Sequence, residues 1–95
     1  MRSRYAAFAL SDVAYLLRTW HPDRRPRRLR LDPDQRWTGL EIVSRSGGGL
    51  FDSDGTVEFR ASSTVHGRPS TLHENSQFIR HDGGWTYLGP LPPPH

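Results

Sequence analysis

The spacing of apolar residues changes along the chain, from a helical spacing near the N-terminus to a two-residue alternation in the second half. Apolar positions recur every three or four residues in two N-terminal segments. This spacing predicts a short helix over residues 3–10 and a second one that begins after an N-cap signal at Ser11-Asp12 and ends at His21-Pro22. The connection that follows, residues 22–34, is rich in proline, arginine and aspartate and is typical of a surface loop.

Alternating apolar and polar residues predict four strands, over residues 37–46, 55–63, 71–81 and 84–88. They are separated by turn sequences that suit antiparallel neighbours: Gly47-Gly48-Gly49, His66-Gly67-Arg68-Pro69 and Asp82-Gly83-Gly84. Two helices followed by a meandering sheet indicate an α+β fold with the helices packed on one face of the sheet. We therefore predict one domain over residues 1–89 and a disordered, proline-rich tail over residues 90–95.

One face of the third predicted strand combines two apolar side chains with a carboxylate and a hydroxyl: Leu72, Phe78, Glu74 and Ser76. A solvent face is normally polar throughout and a core face apolar throughout, so this face is expected to line a partly enclosed space. His73, next to Glu74, points to the opposite face, and so does Glu58 on the preceding strand. A Glu74 that ties helix to sheet and a Glu74 that contacts a ligand both fit this pattern.

Composition narrows the class of protein. The chain has no cysteine, which excludes disulfides, cysteine-ligated zinc and thiol catalysis. No apolar run approaches the roughly 20 residues that span a bilayer, and no signal-peptide core follows Arg2 and Arg4. We expect a soluble, cytoplasmic protein without a membrane partner. The five histidines form no His-x-x-x-His pair, and we expect no metal or other cofactor.

All 13 basic residues are arginines, and they are unevenly distributed. Residues 1–48 hold ten arginines against five acids, whereas residues 49–95 hold three against five. The densest group, called here the arginine segment, comprises Arg24, Arg25, Arg27, Arg28 and Arg30. Aspartates flank the segment and no aromatic residues are interleaved with it, so we expect it to be exposed and to bind no specific nucleic acid.

Several motifs, in the same order along the chain, resemble the YchJ-type bacterial proteins. They include Asp12-Val13-x-Tyr15-Leu16-Leu17, Thr19-Trp20-His21-Pro22, Gly55-Thr56-Val57-Glu58-Phe59, Leu72-His73-Glu74-x-Ser76-x-Phe78 and Asp82-Gly83-x-Trp85-x-Tyr87. The similarity is to the middle domain of these proteins, a nuclear-transport-factor-two-like fold. It implies a cone of curved antiparallel sheet closed by N-terminal helices, with a mouth that often holds a ligand or an active site. Relatives commonly carry flanking cysteine-rich SEC-C zinc motifs, which this sequence lacks, so no zinc role is carried over.

Together, the resemblance and the mixed face predict a ligand pocket between the helices and the concave face of the sheet. The candidate residues are Arg4, Tyr5, Trp20, His21, Trp37, Glu74 and Ser76. Arg4 and His21 are the expected donors to Glu74. In an open pocket, Glu74 would accept protons and His21 would shuttle them. If Arg4 instead closes on Glu74 and fills the space, the cluster is structural.

The favoured function is a small-molecule-binding domain, with or without turnover, because the mixed face would point into the cone. The alternative is a protein-interaction or dimerisation module that uses the outer sheet face and the arginine segment; a homodimer through the sheet is expected. Nucleic-acid binding rests on the arginine segment alone. The fold hosts several activities, so no residue is assigned a catalytic role.

Overall fold

The computed structural model describes residues 2–91, which form two short helices followed by a four-stranded sheet. The elements are α1 (Arg2–Ala9), α2 (Val13–Arg18), β1 (Gln35–Gly47), β2 (Asp54–Val65), β3 (Arg68–His81) and β4 (Gly84–Pro90). The strands lie in the order β1-β2-β3-β4, and each pairs antiparallel with the next. This arrangement confirms the predicted α+β class. Neither helix in the described stretch is long and apolar enough to cross a membrane.

All four predicted strands are present, and each extends beyond the prediction at one end or both. The difference that matters most for the domain boundary is at its C-terminal end. β4 includes Pro90, and the Leu91 N–H donates a hydrogen bond to the Asn75 carbonyl at 2.8 Å. The sheet therefore continues past residue 89, whereas the predicted tail begins at residue 90. Residues 92–95 of that tail lie outside the described residues.

Two tight turns determine which side chains share a face. His66-Gly67 and Asp82-Gly83 each have two consecutive positive φ angles, as a two-residue hairpin turn of type I′ requires. The turns pair Val65 with Arg68 and His81 with Gly84. β2 and β3 then pair without interruption, so that Phe59 lies opposite Glu74 and Val57 opposite Ser76. We call the face that carries Phe59 and Glu74 the inner face, and the other the outer face.

Backbone hydrogen bonds attach the end of α2 to β4. The Asp12 carboxylate caps α2 by accepting a hydrogen bond from the Tyr15 N–H at 3.1 Å. After α2, the Tyr87 N–H donates to the Thr19 carbonyl at 2.7 Å, and the His21 N–H donates to the Tyr87 carbonyl at 2.8 Å. These two bonds hold the helices over the inner face of the sheet.

The core between helices and sheet is small and partly polar. Among residues 2–91, the buried apolar side chains are Ala7, Leu16, Phe59 and Ala61. An equal number of polar or charged residues is buried, namely Arg4, Ser63, Ser76 and Thr86. Buried polar groups need hydrogen-bond partners. Ser63 and Ser76 find theirs in Gln35 and Glu74, which line a cavity that the apolar side chains leave unfilled.

Candidate functional site

A cavity of about 340 Å³ lies between the helices and the inner face of the sheet. Aromatic rings form much of its wall: Tyr5, Phe8, Trp20, Trp37, Phe59 and Tyr87. Arg4 and Glu74 also line it, together with the neutral polar residues Gln35, Ser63 and Ser70. The lining thus combines ring surfaces with one cation and one carboxylate.

The aromatic rings form two groups that come from different parts of the fold. Trp37 of β1 packs against Tyr5 and Phe8 of α1, with ring centroids 5.9 Å apart in both pairs. Trp20, just after α2, packs edge-on against Tyr87 of β4 at 5.2 Å. Such packing is favourable for aromatic pairs and holds the rings in place. The cavity therefore has two aromatic walls, one of Trp37 with its α1 partners and one of Trp20 with Tyr87.

Arg4 reaches the cavity from α1 with only 4% of its surface exposed. Its Nη1 donates hydrogen bonds to the Leu16 carbonyl at 3.1 Å and to Thr19 Oγ1 at 2.6 Å. The guanidinium carbon lies 4.6 Å from the centre of the Tyr87 ring and 5.4 Å from that of Trp20. Burial lowers the pKa of Arg4, and the neighbouring Tyr87, Tyr15 and Glu74 partly offset that effect. Within the described residues, Nε and Nη2 donate no hydrogen bond.

Glu74 is held by donors from its own strand and from β4. Ser76, which is fully buried, and Tyr87 both donate hydrogen bonds to the same carboxylate oxygen, Oε2, and the Tyr87 bond measures 3.0 Å. Burial raises the pKa of the Tyr87 hydroxyl, and the nearby Glu74 charge adds to the effect. The hydroxyl is therefore a protonated donor at neutral pH. The second oxygen, Oε1, accepts no hydrogen bond from residues 2–91.

The source of these donors differs from the sequence expectation. Neither Arg4 nor His21, both of which the structure describes, hydrogen-bonds to Glu74. Arg4 is directed instead to the C-terminal end of α2. The backbone of His21 is paired with Tyr87, while its Nδ1 accepts from the Asp23 N–H at 3.1 Å and its ring packs on His81 at 4.8 Å. Five of the seven candidate residues line the cavity. His21 and Ser76 do not, although Ser76 is hydrogen-bonded to Glu74.

Tyr87 is the site residue that sequence reasoning missed, although the signal was present. A two-residue turn at Asp82-Gly83 pairs His81 with Gly84 and, three residues further on, Phe78 with Tyr87. Paired residues share a face, and alternation along β3 puts Phe78 on the face of Glu74. Counting back from the hairpin therefore places Tyr87 on the same face as Glu74, and its long side chain reaches the carboxylate.

The outer face carries a separate polar network. His73 Nε2 lies 2.6 Å from Glu58 Oε2, and Ser44 Oγ donates to the other Glu58 oxygen at 3.1 Å. The hydrogen bond with His73 is the main reason that the pKa of Glu58 is lowered. The predicted opposite orientations of His73 and Glu74 are confirmed. Within residues 2–91, no group of three or more His, Asp or Glu side chains is placed to hold a metal ion.

The arginine segment is exposed, as predicted, at all five of its arginines, and only Pro26 and Leu29 between them are partly covered. Arg25 donates hydrogen bonds to the Trp20 carbonyl at 2.9 and 3.2 Å. None of the five forms an ion pair with the described residues. The absence of a specific nucleic-acid partner remains a prediction.

A pair of N-terminal helices closed over one face of an antiparallel sheet, with a cavity between them, defines the nuclear-transport-factor-two-like class. Residues 1–90 match the family described as "YchJ, middle NTF2-like domain". The chain belongs to this family. The family resemblance noted from the sequence motifs is thereby confirmed.

Relatives with similar sequences are bacterial proteins named UPF0225. The protein of Streptomyces coelicolor is 58% identical over 92% of this chain and 67% of its own length. Those of Streptomyces avermitilis and Chromobacterium violaceum are 53% and 47% identical, over 93% and 96% of this chain. The chain spans 60% of the length of the S. avermitilis relative and 70% of that from C. violaceum.

Two solved structures have the same fold. A SEC-C motif-containing protein of Rhodopseudomonas palustris matches with a TM-score of 0.80 and 34% identity, over 96% of this chain and 73% of that one. A second, from Psychrobacter arcticus, matches with a TM-score of 0.71 and 27% identity, over 93% of this chain and 55% of that one.

Replacing Tyr87 by Phe should destabilise the fold by removing one of the two donors to Glu74. We expect the free energy of unfolding at neutral pH to fall by about 1 kcal/mol, the usual net value of a hydrogen bond. Tyr15→Phe is the matched control, because the Tyr15 hydroxyl makes no hydrogen bond with the described residues. Urea denaturation of both variants measures the difference.

The same variant should change the response to alkaline pH. Because the pKa of Tyr87 is raised in the folded state, the unfolded chain releases this proton first, above its ordinary pKa of about 10. The stability that the protonated Tyr87 hydroxyl contributes is fully present below that pH. It is lost as the pH rises toward the pKa of Tyr87 in the folded state. Tyr87→Phe should therefore lose less stability than the parent above about pH 10. If the unfolding free energies of the parent and of Tyr87→Phe fell in parallel above about pH 10, the Tyr87 hydroxyl would not be buried.

Proposed function

We propose that this domain binds a small molecule in the cavity between its helices and the inner face of the sheet. One observation carries the proposal: Arg4 and Glu74, both described by the structure, line the same cavity without forming an ion pair with each other. Each is held by other partners, Arg4 by the end of α2 and Glu74 by Ser76 and Tyr87. Both therefore keep hydrogen-bonding capacity that no described residue uses.

The cost of such an arrangement supports a binding role. The indole Nε1 of Trp20, a residue that lines the same cavity, is buried and has no hydrogen-bond partner within residues 2–91, and a buried polar group in that state costs about 1–3 kcal/mol. Opposite charges inside a protein, such as those of Arg4 and Glu74, are normally paired. Here the two groups stay apart in a space of about 340 Å³, which falls in the usual size range of ligand pockets. A ligand that accepts a hydrogen bond from Trp20 Nε1 and contacts both charged groups would recover this cost.

The proposal is for binding and assigns no reaction. Glu74 is placed to accept a proton from a bound molecule through its free oxygen. His21, the expected shuttle, lies outside the cavity lining, and Tyr87 is held in its protonated form. The arrangement supports recognition by hydrogen bonds more directly than proton transfer.

Replacing Glu74 by Gln tests whether this residue contacts a ligand. Gln keeps the size of the side chain and can still bond to Ser76 and Tyr87, so we expect little change in melting temperature and the loss of a bound small molecule. Native mass spectrometry of the purified parent protein, with and without denaturation, should reveal that molecule as a mass difference. Glu58→Gln is the matched control, since it makes the same change on the outer face.

A structural role for Glu74 would give the opposite result. The melting temperature of Glu74→Gln would then fall well below that of Glu58→Gln. A parent protein that carries no small molecule, combined with such a fall, would count against the proposed function.

A second candidate function, an interaction or dimerisation module, is supported by the loop between β1 and β2. Leu50 and Phe51 in this loop are 80% and 96% exposed. Arg80 holds the loop by donating to the carbonyls of Asp52, Gly49 and Leu50 at 3.0, 3.2 and 3.3 Å. The guanidinium of Arg80 also lies 4.5 Å from the ring of Trp85. Two apolar side chains are thus presented to solvent from a backbone that is fixed in place, which suits contact with a second copy of the chain.

The mass of the protein in solution tests this alternative. If the loop mediates dimerisation, light scattering at micromolar concentration should give a dimer for the parent and a monomer for Phe51→Ser. A dimer through the outer sheet face, as expected from the sequence, would survive Phe51→Ser and be disrupted by Arg60→Glu, because Arg60 lies on that face, opposite His73. If the parent protein is a monomer, dimerisation through the loop and dimerisation through the outer sheet face are both excluded.

A further inference from the structure

The polar groups of the cavity restrict the net charge of its ligand. Arg4 and Glu74 contribute one positive and one negative charge, and the Tyr87 hydroxyl is protonated. The other polar lining residues, Gln35, Ser63 and Ser70, are neutral. A ligand with a net charge would place that charge, without compensation, in a space walled by aromatic rings, which is costly. The cavity therefore favours a molecule with no net charge.

The unused hydrogen-bonding atoms specify what that molecule must offer. Arg4 has three N–H groups, on Nε and Nη2, that donate to no residue within 2–91, so it needs an acceptor. The Oε1 atom of Glu74 accepts from no described residue, so it needs a donor. Glu74 Oε2 is already occupied by Ser76 and Tyr87. The indole N–H of Trp20, another lining residue, is buried and donates to no residue within 2–91. A ligand with one donor for Glu74 and an acceptor for the N–H groups of Arg4 and Trp20 would use these atoms.

The walls indicate the shape of the rest of the molecule. Trp37 with Tyr5 and Phe8 forms one wall, and Trp20 with Tyr87 forms the other. Flat apolar rings pack well against such surfaces. A zwitterion could offer the same donor and acceptor, but it would have to give up the water around two full charges.

We propose that the ligand belongs to the class of planar, uncharged amides, in which a carbonyl oxygen and an N–H group lie side by side on an aromatic or heterocyclic body. The carbonyl accepts from Arg4 and the N–H donates to Glu74. The inference rests on the proposed function and names the chemical class that the same cavity takes. The proposed binding is non-covalent.

Three probes of nearly the same shape test the class: benzamide, benzoate and benzamidinium. Each has one ring and one flat three-atom head, but they are neutral, anionic and cationic at neutral pH. Benzamide offers one acceptor and one type of donor, benzoate only acceptors and benzamidinium only donors. We expect benzamide to bind about tenfold or more tightly than either charged probe, because each of those leaves one of the two protein groups unpaired.

Proton–nitrogen correlation spectra report both affinity and location. The indole signals of Trp20 and Trp37 should shift on titration with benzamide, whereas that of Trp85, which does not line this cavity, should not. In Glu74→Gln the charge of Arg4 is no longer offset, and benzoate should then bind more tightly than benzamide. In Glu58→Gln, where the change is on the outer face, benzamide should still bind more tightly than either charged probe, as in the parent.

The outcomes separate the two proposals. If benzoate or benzamidinium binds most tightly to the parent at Trp20 and Trp37, the ligand class is wrong and the binding function stands. If no probe shifts these signals at millimolar concentration but a copurified molecule is found by native mass spectrometry, the class alone is again overturned. If no probe binds and no molecule copurifies, both proposals fail.

Discussion

The fold depends on one buried cation, the guanidinium of Arg4. From α1 it donates hydrogen bonds to the last turn of α2, at the Leu16 carbonyl and the Thr19 hydroxyl, and it lies over the rings of Trp20 and Tyr87. Thr19 is in turn bonded through its carbonyl to the backbone of Tyr87. A single side chain thus joins both helices to β4. An arginine suits this place because its planar group can donate at its edge while stacking on rings.

The position of Arg4 explains why the space between helices and sheet stays open. With its Nη1 engaged by α2, Arg4 does not reach Glu74. Glu74 is held by Ser76 and Tyr87 on the sheet side. The two opposite charges therefore have different hydrogen-bond partners, and Tyr87 lies between them, with its ring against Arg4 and its hydroxyl bonded to Glu74. Pre-organised polar groups of this kind reduce the ordering cost of binding a ligand.

Much of this arrangement could be predicted from the sequence because it follows from local rules. The turns at His66-Gly67 and Asp82-Gly83 need positive φ angles, and once they are placed, alternation assigns each side chain of β3 to a face. For this reason the sequence correctly predicts that Glu74 and His73 lie on opposite faces. The Asp12 N-cap is equally local.

The remaining features depend on contacts between distant segments. β1 is interrupted by irregularities between Trp37 and Gly39 and between Ile42 and Ser44, which alternation alone does not reveal. Whether Arg4 bonds to Glu74 or to α2 depends on how closely the helices approach the sheet. The place of His21 is hidden from the sequence for a similar reason, because its backbone is engaged by Tyr87, far along the chain.

A double-mutant cycle between Arg4 and Glu74 tests the central claim, that these two charges are held separately. Unfolding free energies would be measured for Arg4→Met, Glu74→Gln and the double variant. Because both side chains contact Tyr87, a small coupling is expected even without a direct pair, and we predict a value below about 1 kcal/mol. A favourable coupling of about 2 kcal/mol or more would show that the two side chains form a buried pair. In that case a structural ion pair would close the cavity, and neither charge would be free to bind a ligand.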